Sequence, residues 1–212
     1  MKLKEFVIWA YKLPLEDAGR ISNFSRSVLA HFERSFNPIV TDGVYRVIIK
    51  ITDDPALFGN IEHREGVLIF NKYFDIESFE KESIESKKLK ILNLMLNSVI
   101  ELCDTYGWCK NNFIAAYEKV IGDNFKNHYI YKSKWNRKKS FQAKIFCEHE
   151  SDFFRCSLIV DNKDGVVIFK SVLFDTKPQE YKFNERLGNI SWINNDTLKF
   201  TNVFESKEFA IS

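Results

Sequence analysis

Histidine and cysteine are the residue types in this 212-residue chain best suited to proton transfer, nucleophilic attack or metal binding, and there are four of each. His31 lies beside Phe32 in a helical apolar pattern, which reads as a structural or helix-surface histidine. His63, between Glu62 and the Arg64-Glu65 pair, is the best-placed general acid-base candidate, although a charged stretch of this kind is ordinarily a solvated loop. Cys103, Cys109, Cys147 and Cys156 are too sparse for a disulfide scaffold and match no common zinc spacing. A hairpin turning at Ser151 and Asp152 pairs Glu150 with Phe153 and sets Cys147 opposite Cys156, with His149 on the same face. That Cys-x-His plus Cys arrangement supplies three of the four ligands a structural zinc needs. Reduced cysteines packed as small hydrophobes satisfy the pattern without an ion, so no metal and no cofactor is expected.

The densest feature is residues 126–139, KNHYIYKSKWNRKK, which hold six cations and no acid, with Tyr129, Tyr131 and Trp135 interleaved. Strict alternation would put His128, Ile130, Lys132 and Lys134 on one strand face and Tyr129, Tyr131, Ser133 and Trp135 on the other, with aromatics inward and lysines in water. The same composition suits single-stranded nucleic acid, where cations neutralise phosphates and aromatic rings stack bases. It also suits a protein interface rich in Tyr, Trp and Arg. Opposite in sign are Glu148, Glu150 and Asp152 on the following hairpin, with Asp161 and Asp164 at the next turn, expected to form an acidic edge that deters strand aggregation. Partner binding is assigned to Tyr129, Tyr131, Trp135, Arg137, Lys138 and Lys139 with Glu148, Glu150 and Asp152. No catalytic residue is assigned, because the eight glycines stand alone and form no phosphate-cradling loop. Nor is there a nucleophile elbow, a zinc-protease helix motif or a calcium loop.

These residues need elements to hold them. Residues 6–11 read as a first strand, too short and too abruptly ended by Lys12 for a signal sequence. Ile21, Phe24, Val28, Phe32 and Phe36 recur at helical spacing over residues 15–36, with Pro14 suited to the start and Asn37-Pro38 to the stop. Strands follow over 44–52 and 66–74, with a solvated loop between them that includes residues 62–65. The longest helical pattern runs over 78–106, its stripe including Ile84, Leu89, Leu92, Met95, Val99 and Tyr106, and Gly107 ends it. A shorter helix, capped by Asn111 or Asn112, stops at Gly122. After residue 126 the period becomes alternating, with strands expected over 141–148, 153–160, 166–174, 181–183, 189–193, 197–201 and 203–209. The fold class is α+β: N-terminal helices with a few strands, then a C-terminal antiparallel meander. The chain divides as 1–125 and 126–212, or forms one continuous domain.

A composition of 45% hydrophobic and 28% charged residues is globular, and a net charge of +2 gives no whole-protein field for nucleic acid or membrane. No apolar run is long enough to span a bilayer, so the chain is expected to be cytoplasmic, with no membrane partner. The unexported α+β chain, its Phe-, Lys-, Asn- and Ile-rich composition and the terminal SWINNDTLKF hairpin resemble bacterial immunity proteins, which protect a cell from its own or a neighbour's toxin. The resemblance implies a non-catalytic inhibitor that binds one partner, a toxin domain, stoichiometrically through a charged and aromatic surface. The competing expectation is a nucleic-acid-binding protein, or a small enzyme whose site is assembled from dispersed residues.

Overall fold

The opening apolar run forms strand β2 (Glu5–Ala10), preceded by the two-residue β1 (Lys2–Leu3). The computed structural model describes residues 1–11 and 15–211, with residues 15–18 described by their backbone alone. It divides into two compact units, Met1–Lys126 and Asn127–Ser212. Pro14 lies outside the described residues.

In the first unit, helix α1 (Leu15–Ser35) buries Ile21, Val28 and Phe32 of the expected stripe, with Phe36 buried just beyond its end, Phe24 half-buried, and Leu29 buried as well. The chain then passes through β3 (Ile39–Val40), which pairs with β1, into β4 (Arg46–Thr52). β4 lies parallel to β2, and β6 (Val67–Tyr73) lies parallel to β4. Residues 62–65 are not a solvated loop, as the sequence suggested. They belong to an antiparallel edge strand, β5 (Ile61–Arg64), and its turn, giving the order β2-β4-β6-β5. Glu65 and Gly66 both have positive φ, 48° and 82°, the signs of a type I′ two-residue hairpin. The strand escapes sequence reading because a charged, exposed edge carries none of the apolar signal of a central strand.

The helix expected over 78–106 is two helices, α2 (Ile76–Glu80) and α3 (Ile84–Tyr106). The Asp75 carboxylate accepts from Ser78 N at 3.0 Å and Ser83 Oγ accepts from Ser86 N at 3.2 Å, so each has its own N-cap. Ile84, Leu89 and Tyr106 are exposed, and the buried stripe is Ile91, Leu92, Met95, Val99, Leu102 and Cys103. α4 (Lys110–Gly122) starts before the expected Asn111 or Asn112, behind Cys109, which makes no side-chain cap. All these helices contribute to one core with one face of the sheet, Phe6, Ile8, Val47, Ile49, Ile51, Leu68 and Phe70. Phe6 meets Phe32 and Phe36 edge-on at 5.1 Å, and Phe36 stacks on Phe113 at 4.8 Å; such pairs add about 1 kcal/mol each beyond their buried area. Arg26 Nη1 donates to Phe6 O at 3.0 Å, and Phe6 N donates to Glu33 Oε1 at 2.7 Å. With the Arg26–Glu33 ion pair, these bonds fasten α1 to β2.

The strands of the second unit all pair antiparallel, and its helical residues are one short turn and the 3-10 turn Asn184–Arg186 that follows it. β7 (His128–Trp135), β8 (Phe141–His149), β9 (Phe154–Asn162) and β10 (Val167–Thr176) form a meander in the order β10-β9-β8-β7. β11 (Asn189–Trp192), β12 (Thr197–Thr201) and β13 (Ser206–Ala210) form a second. Inward residues of both sheets, among them Ala143, Ile145, Cys156, Leu158, Val160, Ile190, Leu198 and Phe200, share one core. The strand expected over 181–183 is instead a helical turn, α5 (Glu180–Phe183), that buries only Phe183, stacked on Phe154 at 3.7 Å. The strand expected from 203 begins at Ser206. Asn202 Oδ1 accepts from Phe204 N at 2.8 Å and Glu205 N at 2.9 Å, which curls residues 202–205 into a turn.

Candidate protein-binding surface

The strict alternation expected for residues 128–135 fails at one residue. Ile130 pairs with Phe146 and Lys132 with Ile145, leaving Tyr131 as a β-bulge without a partner on β8. Parity therefore reverses along the strand. Tyr129 pairs with buried Cys147 and faces the core, but beyond the bulge Lys132 and Lys134 take the core side, opposite buried Ile145 and Ala143. Tyr131 and Trp135 do not pack inward; they are 39% and 42% exposed. Lys132 stays at the strand margin, where Nζ donates to Asn189 Oδ1, and Trp192 Nε1 donates to Lys134 O at 3.0 Å.

The segment after Trp135 is a turn organised by one buried side chain. Asn136 Oδ1 accepts from Ser140 N at 2.9 Å and Phe141 N at 3.2 Å, while Nδ2 donates to Ser140 Oγ at 2.9 Å and Asn195 O at 3.0 Å. Arg137, Lys138 and Lys139 occupy its exposed tip, and none has an acidic partner among the described residues. Phe141 pairs with Asn162, so the β9–β10 turn lies at the same end of the sheet. There Asn162 Oδ1 accepts from Asp164 N and Val166 N, both at 2.9 Å. The bond to Asn195 O brings in the β11–β12 turn, where Asn194 Oδ1 accepts from Asp196 N at 2.9 Å. Three asparagine-built turns thus share one end of the unit. They display Arg137, Lys138, Lys139 and Lys163 with two acids, Asp164 and Asp196, and at the same end Trp135, Val166 and Ile193 are 42%, 58% and 53% exposed.

Of the residues assigned to a partner surface, Trp135, Arg137, Lys138 and Lys139 are brought together here. Glu148, Glu150 and Asp152 sit at the opposite end of β8, roughly 30 Å away along a strand of this length, and Glu150 is 3.0 Å from His128 Nε2. The expected continuous acidic edge is not formed. Asp161 is buried against Lys144, and Asp164 belongs to the basic end. Lys163 and Val166 escaped sequence reading, although a signal existed, since alternate turns of an antiparallel meander fall at the same end; Ile193, on the other sheet, had none, and only the Asn136–Asn195 bond places its turn here.

The remaining chemical groups are dispersed. Cys147 pairs in register with Cys156, with His149 beside them, as the hairpin predicted. The His149 Nε2–H donates to Pro178 O at 2.8 Å, and a hydrogen bond to Cys147, reinforced by burial, pushes the Cys156 thiol pKa up. Among the described residues no three His, Cys, Asp or Glu side chains are grouped to hold a metal ion. His31 is buried with Nε2 3.0 Å from Asp123 Oδ2, while His63 lies on exposed β5. Among the described residues no helix is long and apolar enough to cross a membrane. The chain matches no protein-family model, no curated protein and no solved structure.

Proposed function

We propose that the protein is a non-catalytic, stoichiometric protein-binding module, an immunity-type inhibitor that works in the bacterial cytoplasm by covering a toxin domain. The observation that supports this reading is the gathering of exposed Trp135, Val166 and Ile193 with Arg137, Lys138, Lys139 and Lys163 on three turns at one end of the C-terminal unit. Trp and Arg are the side chains that dominate binding hot spots, and an excess of exposed cations at the same end suits a partner with an acidic surface. Unpaired lysines there raise the rate of encounter with such a surface and make it salt-dependent.

Affinity capture from cells of the source organism with the full chain, followed by mass spectrometry and mass determination of the eluted complex, tests the reading. We expect one protein partner at equimolar ratio, with affinity reduced by about tenfold or more in Trp135→Ala and in the Arg137→Glu, Lys138→Glu, Lys139→Glu triple variant. Recovery of nucleic acid in place of a protein, released by nuclease and by salt, overturns it in favour of the competing use of the same cations.

A further inference from the structure

Cys147 and Cys156 are free thiols, wholly buried and paired in register across β8 and β9, with their side chains hydrogen-bonded to each other. Antiparallel pairs alternate between hydrogen-bonded and non-hydrogen-bonded kinds, and the neighbouring bonds show which kind this is. Glu150 N donates to Phe153 O at 2.9 Å, so the pair beside the turn is hydrogen-bonded, whereas His149 N donates to Asn127 O at 3.0 Å, away from β9. By that alternation Glu148 bonds toward β9 opposite Arg155, and Cys147 with Cys156 is a non-hydrogen-bonded pair. The Cα atoms of such a pair approach to about 4.5 Å with their side chains on one face, a separation that a disulfide spans.

We propose that Cys147 and Cys156 are a redox couple that closes a cross-strand disulfide when a small-molecule disulfide such as oxidised glutathione accumulates, and reopens when thiols reduce it. The thiolate of one cysteine attacks a sulfur of the small disulfide and expels one thiolate; the second cysteine, once deprotonated, attacks the mixed disulfide and expels the other. The two cysteine protons pass to the two released thiolates, and the pair loses two electrons as the small disulfide is reduced to two thiols. Burial and the mutual hydrogen bond keep the Cys156 thiol protonated in the closed sheet, so exchange proceeds as the hairpin folds or when it opens. The short turn at Ser151 and Asp152 keeps the two cysteines near each other in the opened chain, because short loops close at little entropic cost. The couple lies toward the acidic turn, away from the candidate partner surface, and does not depend on it.

Refolding the full chain with Cys109→Ser, which removes the exposed competing thiol, in excess oxidised glutathione tests this. We expect a folded protein lighter by about 2 Da than its reduced form, one linked pair of peptides holding Cys147 and Cys156, and return of both thiols in dithiothreitol. Adding Cys147→Ala should abolish the mass loss. Should refolding fail in the oxidant, incubation of the native protein with oxidised glutathione at urea concentrations below the unfolding midpoint gives the same readout. A folded chain that keeps Cys147 and Cys156 as thiols overturns the proposal, as does one in which they carry glutathione adducts or link to Cys103 in place of each other.

Discussion

The imidazole of His31 is held neutral by its surroundings, which makes it a source of pH-dependent stability. Burial lowers its pKa below the ordinary value, and the nearby Arg34 and Lys119 act in the same direction, while the hydrogen bond and charge of Asp123 only partly oppose them. Asp123 is itself held low, first by its bond from Lys119 Nζ at 2.6 Å. A histidine with a depressed folded pKa contributes stability that is fully present above the unfolded value of about 6.5 and is lost as pH falls through the folded pKa. The urea midpoint of the wild type should therefore fall between about pH 7.5 and about pH 5.5 more steeply than that of His31→Gln, whose amide cannot titrate and can still donate to Asp123. Equal slopes in the two proteins would sink this account. The cysteines show the same dependence on environment: burial pushes the Cys103 thiol up to about 11, whereas Cys109 lies exposed.

Elements in this fold are set as much by close approach as by propensity. A methyl group on Gly188 would sit 2.4 Å from Thr201 O and 2.8 Å from Phe200 Cε2, against the backbone of β12, which cannot yield without breaking its ladder. Gly188→Ala is expected to cost about 2 to 4 kcal/mol in urea unfolding. Gly122→Ala, where the added methyl meets nothing within 4 Å, should stay within about 0.5 kcal/mol of wild type, and equal costs would contradict the packing argument. The same contrast between local and distant constraint decides what could be read in advance. The Cys147–Cys156 register was legible because the short turn at Ser151-Asp152 fixes parity by itself, and the α1 stripe because its apolar residues repeat at helical spacing. The bulge at Tyr131 was not, because Tyr, Ile and Lys suit either face of an edge strand and the extra residue is defined only by its partner β8. The break before α3 was hidden for a related reason. Ser83 can sit inside a helix or cap one, and only the hydrogen bond to Ser86 N shows which. At the candidate site the turn residues were readable one turn at a time, but their gathering depends on strand order, which no single turn carries.

At the scale of the whole molecule, a net charge of +2 conceals a C-terminal unit with a cationic end and an acidic turn opposite it. That unit also carries what it needs to fold. Its ladders run from β7 to β10 and from β11 to β13 within residues 127–212, and its two sheets close a core of their own that includes Phe154, Phe183, Leu198 and Phe200. A domain of this size buries only about 60 to 65% of its unfolded surface, which leaves it less margin than a longer chain. The added aromatic stacking of Phe183 on Phe154, at 3.7 Å and 5° between planes, and of Phe154 on Phe174, at 6.1 Å, works against that deficit. Residues 127–212 expressed alone should therefore give a dispersed amide NMR spectrum and a cooperative thermal transition. Because all three turns of the candidate surface lie within them, they should also bind the protein partner within about threefold of the full chain's affinity. A collapsed spectrum without cooperative unfolding would place the stability of this unit in the residues before 127, and a folded fragment that fails to bind would move the docking surface away from the basic end.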